Sequence, residues 1–237
     1  MSIQSKQVEY RDGDTNCIGL LAWDDQAGKR PCVLVAPDWR GRTQFSEDKA
    51  IELAKLGYVG FAIDVYGEGR SGKNADENAA LMNPFMEDRA KLKRRLLATL
   101  GAAREFEEVE ADKMSILGFC FGGLCALDLA RAGEDIKAAI SFHGLFIPNG
   151  LPENEIKASV LALHGYDDPK ANPESVLTLG EELTRARCDW QIHAYGQTMH
   201  SFMNPKANAP ENGLQYSPIA EKRAWLAATQ LLGDVFG

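Results

Sequence analysis

The chain has 237 residues, which suits one α/β domain of ordinary size with enough surface to bury a core. Its formal net charge of −8 argues against nucleic acid or an anionic membrane as a main partner. No apolar run approaches the ~18 residues that span a bilayer, and residues 1–6 do not form a signal peptide. The five cysteines are irregularly spaced, so we expect no disulfide framework, no metal site, no cofactor and a cytoplasmic location.

The N-terminal half alternates strand and helix patterns. Its predicted elements are a hairpin of strands at 3–9 and 16–23, a buried strand at 31–36, a helix at 46–57, a strand at 58–65, an excursion with a short helix at 71–90, and an amphipathic helix at 88–107. The turn at 12–14 predicts the hairpin. The polar excursion is a candidate lid or pocket wall.

The C-terminal half continues the alternation. Its predicted elements are a strand at 114–117, a helix ending near Gly133, a strand at 136–142, a loop at 147–157, a strand at 159–163, a helix at 172–187, a strand at 189–195 and a closing helix from Ser217. The alternation predicts an α/β fold with a mostly parallel sheet, helices on both faces and an antiparallel N-terminal edge. Without a repeat or a linker, we expect one domain over 1–237.

The segment 114–130 has the strand–turn–helix pattern of a nucleophile elbow, in which Gly-x-nucleophile-x-Gly lifts one side chain clear of the sheet. Cys120 occupies the nucleophile position between Gly118 and Gly122, where a β-carbon would collide with the turn or a neighbouring strand. The helix that follows directs its N–H groups and its dipole at the sulfur and favours a thiolate. The alternative is a glycine-rich connection with an inert buried cysteine.

A thiol nucleophile needs a base to take its proton, a third group to orient that base, and donors for the developing oxyanion. The chain has a carboxylate and a histidine downstream, each in a loop that follows a predicted strand. Asp168 is the predicted acid, because Pro169 stiffens the backbone after it and Gly165 gives the turn that projects it. Asp167 is adjacent and stays open as the alternative.

Four histidines are candidates for the base. His193 lies within a strand and His164 at a strand end, and we expect His164 to hold the Asp168 turn. His143 ends the strand next to the elbow, where both a pocket role and a structural role are open. His200 lies in the loop after the last strand, where the base of such a triad belongs, so it is the predicted base.

Three motifs in this order resemble the dienelactone hydrolase family, the carboxymethylenebutenolidase-like branch of the α/β-hydrolases. They lie at 118–123, 164–169 and 195–202. The resemblance extends from about residue 15 to the C-terminus and implies the α/β-hydrolase fold.

The family's triad of Cys, Asp and His then falls on Cys120, Asp168 and His200. Its oxyanion hole falls on the backbone N–H groups of Phe121 and of Trp39, in the loop after the 31–36 strand. The resemblance therefore implies a hydrolase that attacks a carbonyl through sulfur.

The family also keeps an acidic residue, typically glutamate, just before the second oxyanion donor. Asp38 falls at this position and is one methylene shorter. By resemblance, Asp38 would hold the thiol of Cys120 and exchange with His200 when substrate binds. The alternative is that Asp38 only caps its loop.

The substrate expected from these residues is a small ester or lactone. Family members that open dienelactone grip its carboxylate with arginines, one of them shortly after the catalytic histidine, whereas 201–206 contains no arginine. Possible replacements are Arg40, Arg42, Arg70 and Lys206. The apolar residues of the excursion and Trp39 favour neutral or weakly polar esters.

Two other functions stay open. A cysteine amidotransferase or peptidase-like enzyme also uses a Gly-x-Cys-x-Gly elbow, but such domains usually have a carboxylate close after the histidine, where this chain has Ser201 and Phe202. The second alternative is a binding or redox-sensing protein on the same scaffold. Cys120 and Cys125 are five residues apart, which is poor spacing for a disulfide on a helix.

Overall fold

The computed structural model describes residues 2–237, and Met1, the first residue of the predicted domain, lies outside them. The chain separates into two compact units, one ending at Ile116 and the other spanning Leu117–Gly237. The boundary lies inside a strand, and the single domain over 1–237 stays a prediction.

The first unit builds the antiparallel edge and the first parallel strand pair. Its elements are β1 (Ile3–Asp12), β2 (Thr15–Asp24), β3 (Arg30–Ala36), α1 (Gln44–Lys55), β4 (Val59–Ala62), α2 (Ala75–Glu87), α3 (Arg89–Arg104) and most of β5 (Val109–Phe119). The strand order is β1-β2-β4-β3, with β2 antiparallel to both its neighbours and β3 parallel to β4. The predicted hairpin is confirmed, since Asp12 pairs with Thr15 across the turn.

The second unit carries a run of parallel strands. Its elements are the end of β5, α4 (Phe121–Arg131), β6 (Ala138–Phe142), β7 (Ser159–Gly165), α5 (Pro173–Arg185), β8 (Trp190–Tyr195), β9 (Asn208–Ala209), β10 (Leu214–Gln215) and α6 (Pro218–Phe236). β7 lies between β6 and β8 and is parallel to both. The short strands β9 and β10 pair antiparallel across a 3₁₀ turn.

These pairings confirm the predicted fold class, an α/β structure with a mostly parallel sheet and an antiparallel N-terminal edge. Parallel strands covered by helices are buried on both faces, which is why the inner strands β3, β4 and β6 are mainly apolar. β4 and β6 are buried along their whole length. Within residues 2–237, none of the helices combines the length and apolarity needed to cross a membrane.

The observed start of a helix agrees with the predicted start where a capping side chain marks it. Asn172 caps α5 as predicted, with its Oδ1 accepting the backbone N–H of Ser175 at 2.8 Å. α1 begins at Gln44, two residues before the predicted start. Ser46 lies inside its first turn and donates its hydroxyl to the carbonyl of Thr43 at 2.9 Å.

The excursion at 71–90 is more helical than expected. α2 fills most of it and is capped by Asn74, whose Oδ1 accepts the N–H of Glu77 at 3.0 Å. Phe85 is buried and packs on Tyr66 with ring centroids 5.8 Å apart. The packing of Phe85 anchors α2 on the first unit.

The strand predicted at 58–65 ends early because a buried carboxylate turns the chain. The Oδ1 of Asp64 accepts the N–H groups of Tyr66 and Gly67 at 3.1 and 2.9 Å. Its Oδ2 accepts those of Ile18 and Gly69 at 3.0 and 2.7 Å. A buried carboxylate requires such donors, and here they set the path of the loop after β4.

We therefore expect Asp64→Asn to lower the free energy of unfolding by on the order of 3 kcal/mol. The substitution removes the negative charge, and it replaces one accepting oxygen by an NH₂ group that faces backbone N–H groups. Urea unfolding followed by tryptophan fluorescence measures the loss. Asp112→Asn, at an exposed position of β5, is the matched control and should change stability little. Equal stability of Asp64→Asn and the wild type would contradict this account of the loop.

Candidate active site

Cys120 lies at a sharp turn between β5 and α4. Its backbone has φ 56° and ψ −115°, a conformation that L-residues seldom adopt. A β-carbon on Gly118 would lie 2.0 Å from the carbonyl oxygen of Gly122, so the turn closes only with glycine at position 118. Cys120 is half-buried. The geometry is that of a nucleophile elbow, with the sulfur raised at the end of the strand.

The helix that follows the elbow begins at once. Phe121 is its first residue, and the N–H groups of Gly123 and Leu124 donate to the carbonyl of Cys120 at 2.9 and 3.3 Å. The N-terminus of α4 therefore directs its positive dipole end at the cysteine, which favours a thiolate. The backbone N–H of Phe121, the predicted oxyanion donor of this unit, belongs to the first turn of that helix.

Asp168 follows β7 and pairs with the predicted base. Its Oδ2 lies 2.7 Å from Nδ1 of His200, and its Oδ1 accepts the backbone N–H of Lys170 at 2.8 Å. Asp168 is 3% exposed. Asp167 is exposed, and its backbone N–H donates to the carbonyl of Thr198 at 3.0 Å. The structure thus brings Asp168 to His200 and turns the rival carboxylate to solvent.

The loops that carry the acid and the base are packed directly on each other. A β-carbon on Gly165 would lie 2.2 Å from the carbonyl oxygen of Thr198. The N–H of Tyr166 donates to the carbonyl of Tyr195 at 2.8 Å. This close backbone approach, which only glycine permits at position 165, holds the two loops at hydrogen-bonding distance.

The backbone of His200 is bonded on both sides to the β9–β10 hairpin. Its N–H donates to the carbonyl of Gly213 at 2.9 Å, and its carbonyl accepts the N–H of Gln215 at 3.1 Å. Ser201, the next residue, has φ 61°. No predicted element covers this hairpin, whose local signal in the sequence is the Asn212-Gly213 turn dipeptide.

The imidazole of His200 is buried, and its charge is set by two neighbours. Burial works against the charged form, but the electrostatic interaction with the Cys120 sulfur and the hydrogen bond to Asp168 outweigh it and raise the pKa of His200 to about 9. Both neighbours thus favour the imidazolium form of His200, the sulfur more strongly than the carboxylate.

The other histidines occupy structural or supporting positions. His164 is buried in β7 with Nδ1 3.0 Å from the carbonyl oxygen of Gly165, and burial lowers its pKa. His193 lies within β8, with Nε2 3.2 Å from Oε1 of Gln191. His143 is buried directly after β6 and accepts the backbone N–H of Cys120 through Nδ1 at 3.1 Å. Of the three, only His143 touches the elbow.

Two predicted residues, Asp38 and Trp39, lie in the first unit. Asp38 is buried and holds Arg40 with both carboxylate oxygens, at 2.6 Å for Oδ2 and Nη2 and 3.0 Å for Oδ1 and Nε. Its Oδ1 also accepts the backbone N–H of Arg40 at 2.9 Å. The hydroxyl of Tyr66 donates to the carbonyl of Trp39 at 2.8 Å. These contacts cap and brace the loop, and the roles of Asp38 at the thiol and of the Trp39 N–H stay predictions.

The remaining sequence candidates include three arginines proposed to grip a substrate carboxylate. Arg40 binds Asp38, Arg42 binds Glu47, and Arg70 donates to the carbonyl of Gly67 at 3.1 Å.

Within residues 2–237, no group of histidine, cysteine and carboxylate side chains is arranged to hold a metal ion.

The elbow, the acid loop after β7 and the base loop before the closing helix define the class, the α/β hydrolases. The dienelactone hydrolase family model matches residues 18–236, and the chain belongs to that family. The prediction of a dienelactone hydrolase-like enzyme is thereby confirmed.

Individual relatives match over nearly the whole chain. A putative carboxymethylenebutenolidase of Aquifex aeolicus is 28% identical over 225 residues, covering 93% of this chain and 94% of the relative. The solved structure of m3DLH is 37% identical with a TM-score of 0.95, and both chains are covered completely. A dienelactone hydrolase-like promiscuous phosphotriesterase from metagenomic libraries is 36% identical with a TM-score of 0.92, again over 100% of both chains.

The charge on His200 is directly testable. We expect its ring protons to titrate in NMR spectra with a midpoint of about 9, so that the imidazolium prevails at neutral pH and is lost as the pH rises through 9. Cys120→Ala and Asp168→Asn should each lower the midpoint, because each removes an interaction that favours the cation. Asp167→Asn is the matched control and should not move it. A wild-type midpoint near 6.5 would contradict the coupling of imidazole and sulfur.

Proposed function

We propose that this protein hydrolyses small carboxylic esters or lactones through a thioester acyl-enzyme on Cys120. The observation that carries the proposal is the contact of 2.7 Å between Oδ2 of Asp168 and Nδ1 of His200. The electrostatic interaction of the same ring with the Cys120 sulfur supports it. Such an arrangement is the triad logic of covalent catalysis, in which nucleophile, base and orienting acid act as one unit.

In the proposed acylation step, the sulfur attacks the ester carbonyl and forms a tetrahedral adduct. The oxyanion is held by backbone N–H groups, that of Phe121 and, by family resemblance, that of Trp39. His200 as imidazolium gives its proton to the departing alkoxide, and the C–O bond breaks. Asp168 stabilises the imidazolium through Nδ1, which keeps the other nitrogen directed at the reacting atoms.

In the proposed deacylation step, neutral His200 takes a proton from water, which attacks the thioester. The collapse of the second adduct breaks the C–S bond and returns the sulfur as a thiolate beside the imidazolium. A thiolate leaves a tetrahedral adduct more readily than an amide nitrogen or a strongly basic alkoxide does. The enzyme should therefore prefer activated esters and lactones over amides.

The proposed substrate is neutral or weakly polar. Three of the four predicted carboxylate ligands, Arg40, Arg42 and Arg70, are bound to protein groups, which supports a substrate without a carboxylate. The fourth, Lys206, is exposed. We also propose that the enzyme works in the cytoplasm on a small molecule and not on nucleic acid or membrane. The five free cysteines and the formal net charge of −8 support these proposals.

Cys120→Ala should lower the turnover of p-nitrophenyl acetate by about 10³-fold or more, because no other described group supplies the nucleophile to this triad. Steady-state kinetics and circular dichroism together measure activity and fold. Cys188→Ala, which removes another half-buried thiol of the same unit, is the matched control and should retain wild-type activity.

Two outcomes would support the alternatives left open by the sequence. Release of ammonia from glutamine faster than ester hydrolysis would favour an amidotransferase-like enzyme. Iodoacetamide labelling of Cys120 that leaves esterase activity unchanged would favour a binding or redox-sensing protein. Wild-type activity in Cys120→Ala overturns the proposed nucleophile.

One comparison favours a second activity, the hydrolysis of neutral phosphotriesters. The phosphotriesterase relative is 36% identical over the whole of both chains. The chemistry is parallel: the sulfur forms an S–P bond, the aryloxide leaves, and water then cleaves the S–P bond to give a diester and the free thiol. His200 would serve both steps as it serves the ester.

We expect paraoxon to be turned over more slowly than p-nitrophenyl acetate, with both activities lost together in Cys120→Ala. Release of p-nitrophenol follows both substrates under one set of conditions. Cys188→Ala should keep both activities, and buffer without enzyme gives the background rate. Paraoxon turnover by Cys120→Ala above that background would count against a shared sulfur nucleophile.

A further inference from the structure

A second buried histidine lies against both the nucleophile and the base, and the proposed reaction does not use it. His143 is the first residue after β6 and is 2% exposed. Its backbone N–H donates to the carbonyl of Leu163 in β7 at 2.8 Å, which fixes the residue at the end of the sheet. Its φ is 38°, in the left-handed region that costs a side-chain-bearing residue energy.

The ring of His143 is bonded to the backbone of the nucleophile. Nδ1 accepts the N–H of Cys120 at 3.1 Å, and the same N–H reaches the carbonyl of Phe142 at 3.0 Å. Because Nδ1 acts as an acceptor, the ring proton must reside on Nε2, and the ring is neutral. The elbow at Cys120 has its own positive φ of 56°, and the two acceptors, the carbonyl of Phe142 and Nδ1 of His143, together hold this strained peptide in place.

The same ring forms one wall around the base. The ring centroids of His143 and His200 are 5.0 Å apart at an interplanar angle of 67°, and Phe202 packs edge-on against His143 at 5.3 Å. Protonation of His143 would set two cations side by side in a buried space. Burial, and then the charge of His200, lower the pKa of His143 well below its ordinary value.

We propose that His143 is a positioning residue of the reaction. Its neutral ring accepts the backbone N–H of Cys120 through Nδ1, and it packs against the imidazole of His200 so that this imidazole keeps its orientation. The inference rests on the proposed function and adds a fourth side chain to the catalytic unit. An aromatic ring of the same size supplies the wall but not the acceptor. An amide oxygen in place of Nδ1 supplies the acceptor but not the wall.

These two contributions are separable by substitution. His143→Asn sets an amide oxygen near the position of Nδ1, and asparagine tolerates positive φ better than most residues. His143→Phe keeps a ring beside His200 and removes the acceptor. His143→Gln carries its amide one methylene farther out, so it is a second acceptor-displacing variant should the Phe variant fold poorly. His193→Asn, within β8, is the control for the same chemical change away from the site.

The measurements are the kcat and KM of p-nitrophenyl acetate hydrolysis, the pH dependence of Cys120 alkylation by iodoacetamide, and the NMR titration of His200. We expect His143→Phe and His143→Gln to lower kcat about tenfold or more with little change in KM, as loss of one hydrogen bond to the nucleophile implies. The midpoint of Cys120 alkylation should shift in both. His143→Asn, which keeps the acceptor and loses the ring beside His200, should keep the alkylation midpoint of the wild type and shift the titration of His200.

A folded His143→Phe or His143→Gln variant with wild-type kcat and an unshifted alkylation profile overturns the proposal. Equal losses in His143→Asn and His143→Phe, without a shift in alkylation or in the His200 titration, also overturn it, since they indicate packing alone. The alkylation and titration readouts do not depend on ester turnover. They therefore test the positioning role of His143 even if Cys120→Ala shows that the proposed ester chemistry is wrong.

Discussion

The hydrogen bond between Nδ1 of His200 and Oδ2 of Asp168 is the interaction on which the site depends. Both side chains are almost fully buried, so neither the carboxylate nor the imidazolium would be stable there alone. The carboxylate is further stabilised by the backbone N–H of Lys170, and the imidazolium by its electrostatic interaction with the Cys120 sulfur. Each partner in such a buried network lowers the cost of burying the next.

The backbone around this bond is strained where the side chains must project. Cys120, His143 and Ser201 all have positive φ, although none is glycine. Such conformations persist only where surrounding contacts over-determine them. Here those contacts are the parallel strands β6 and β7, the close approach at Gly165 and the β9–β10 hairpin. The packing of the sheet and its loops therefore offsets the cost of the three strained backbone conformations.

The sequence predicted the parts of the site that are encoded locally. The elbow at Cys120 and the cap at Asn172 depend on a few adjacent residues, and the structure has both as expected. The choice of Asp168 over Asp167 agrees with the observed pairing with His200 because Gly165 and Pro169 constrain that turn.

Other features depend on contacts between distant segments and carry no comparable signal. The early end of β4 follows from the bonds that Asp64 makes to Ile18, forty-six residues earlier. The bond from Cys120 to His143 spans twenty-three residues, and no spacing rule distinguishes such a histidine from a packed one. The β9–β10 hairpin has two-residue strands, which are too short to show a hydrophobic period. That hairpin bonds both the N–H and the carbonyl of His200, so the backbone of the predicted base is held in place. Any change in the position of the imidazole therefore requires rotation about the side-chain bonds of His200 itself, because the main chain at that residue is bonded on both sides.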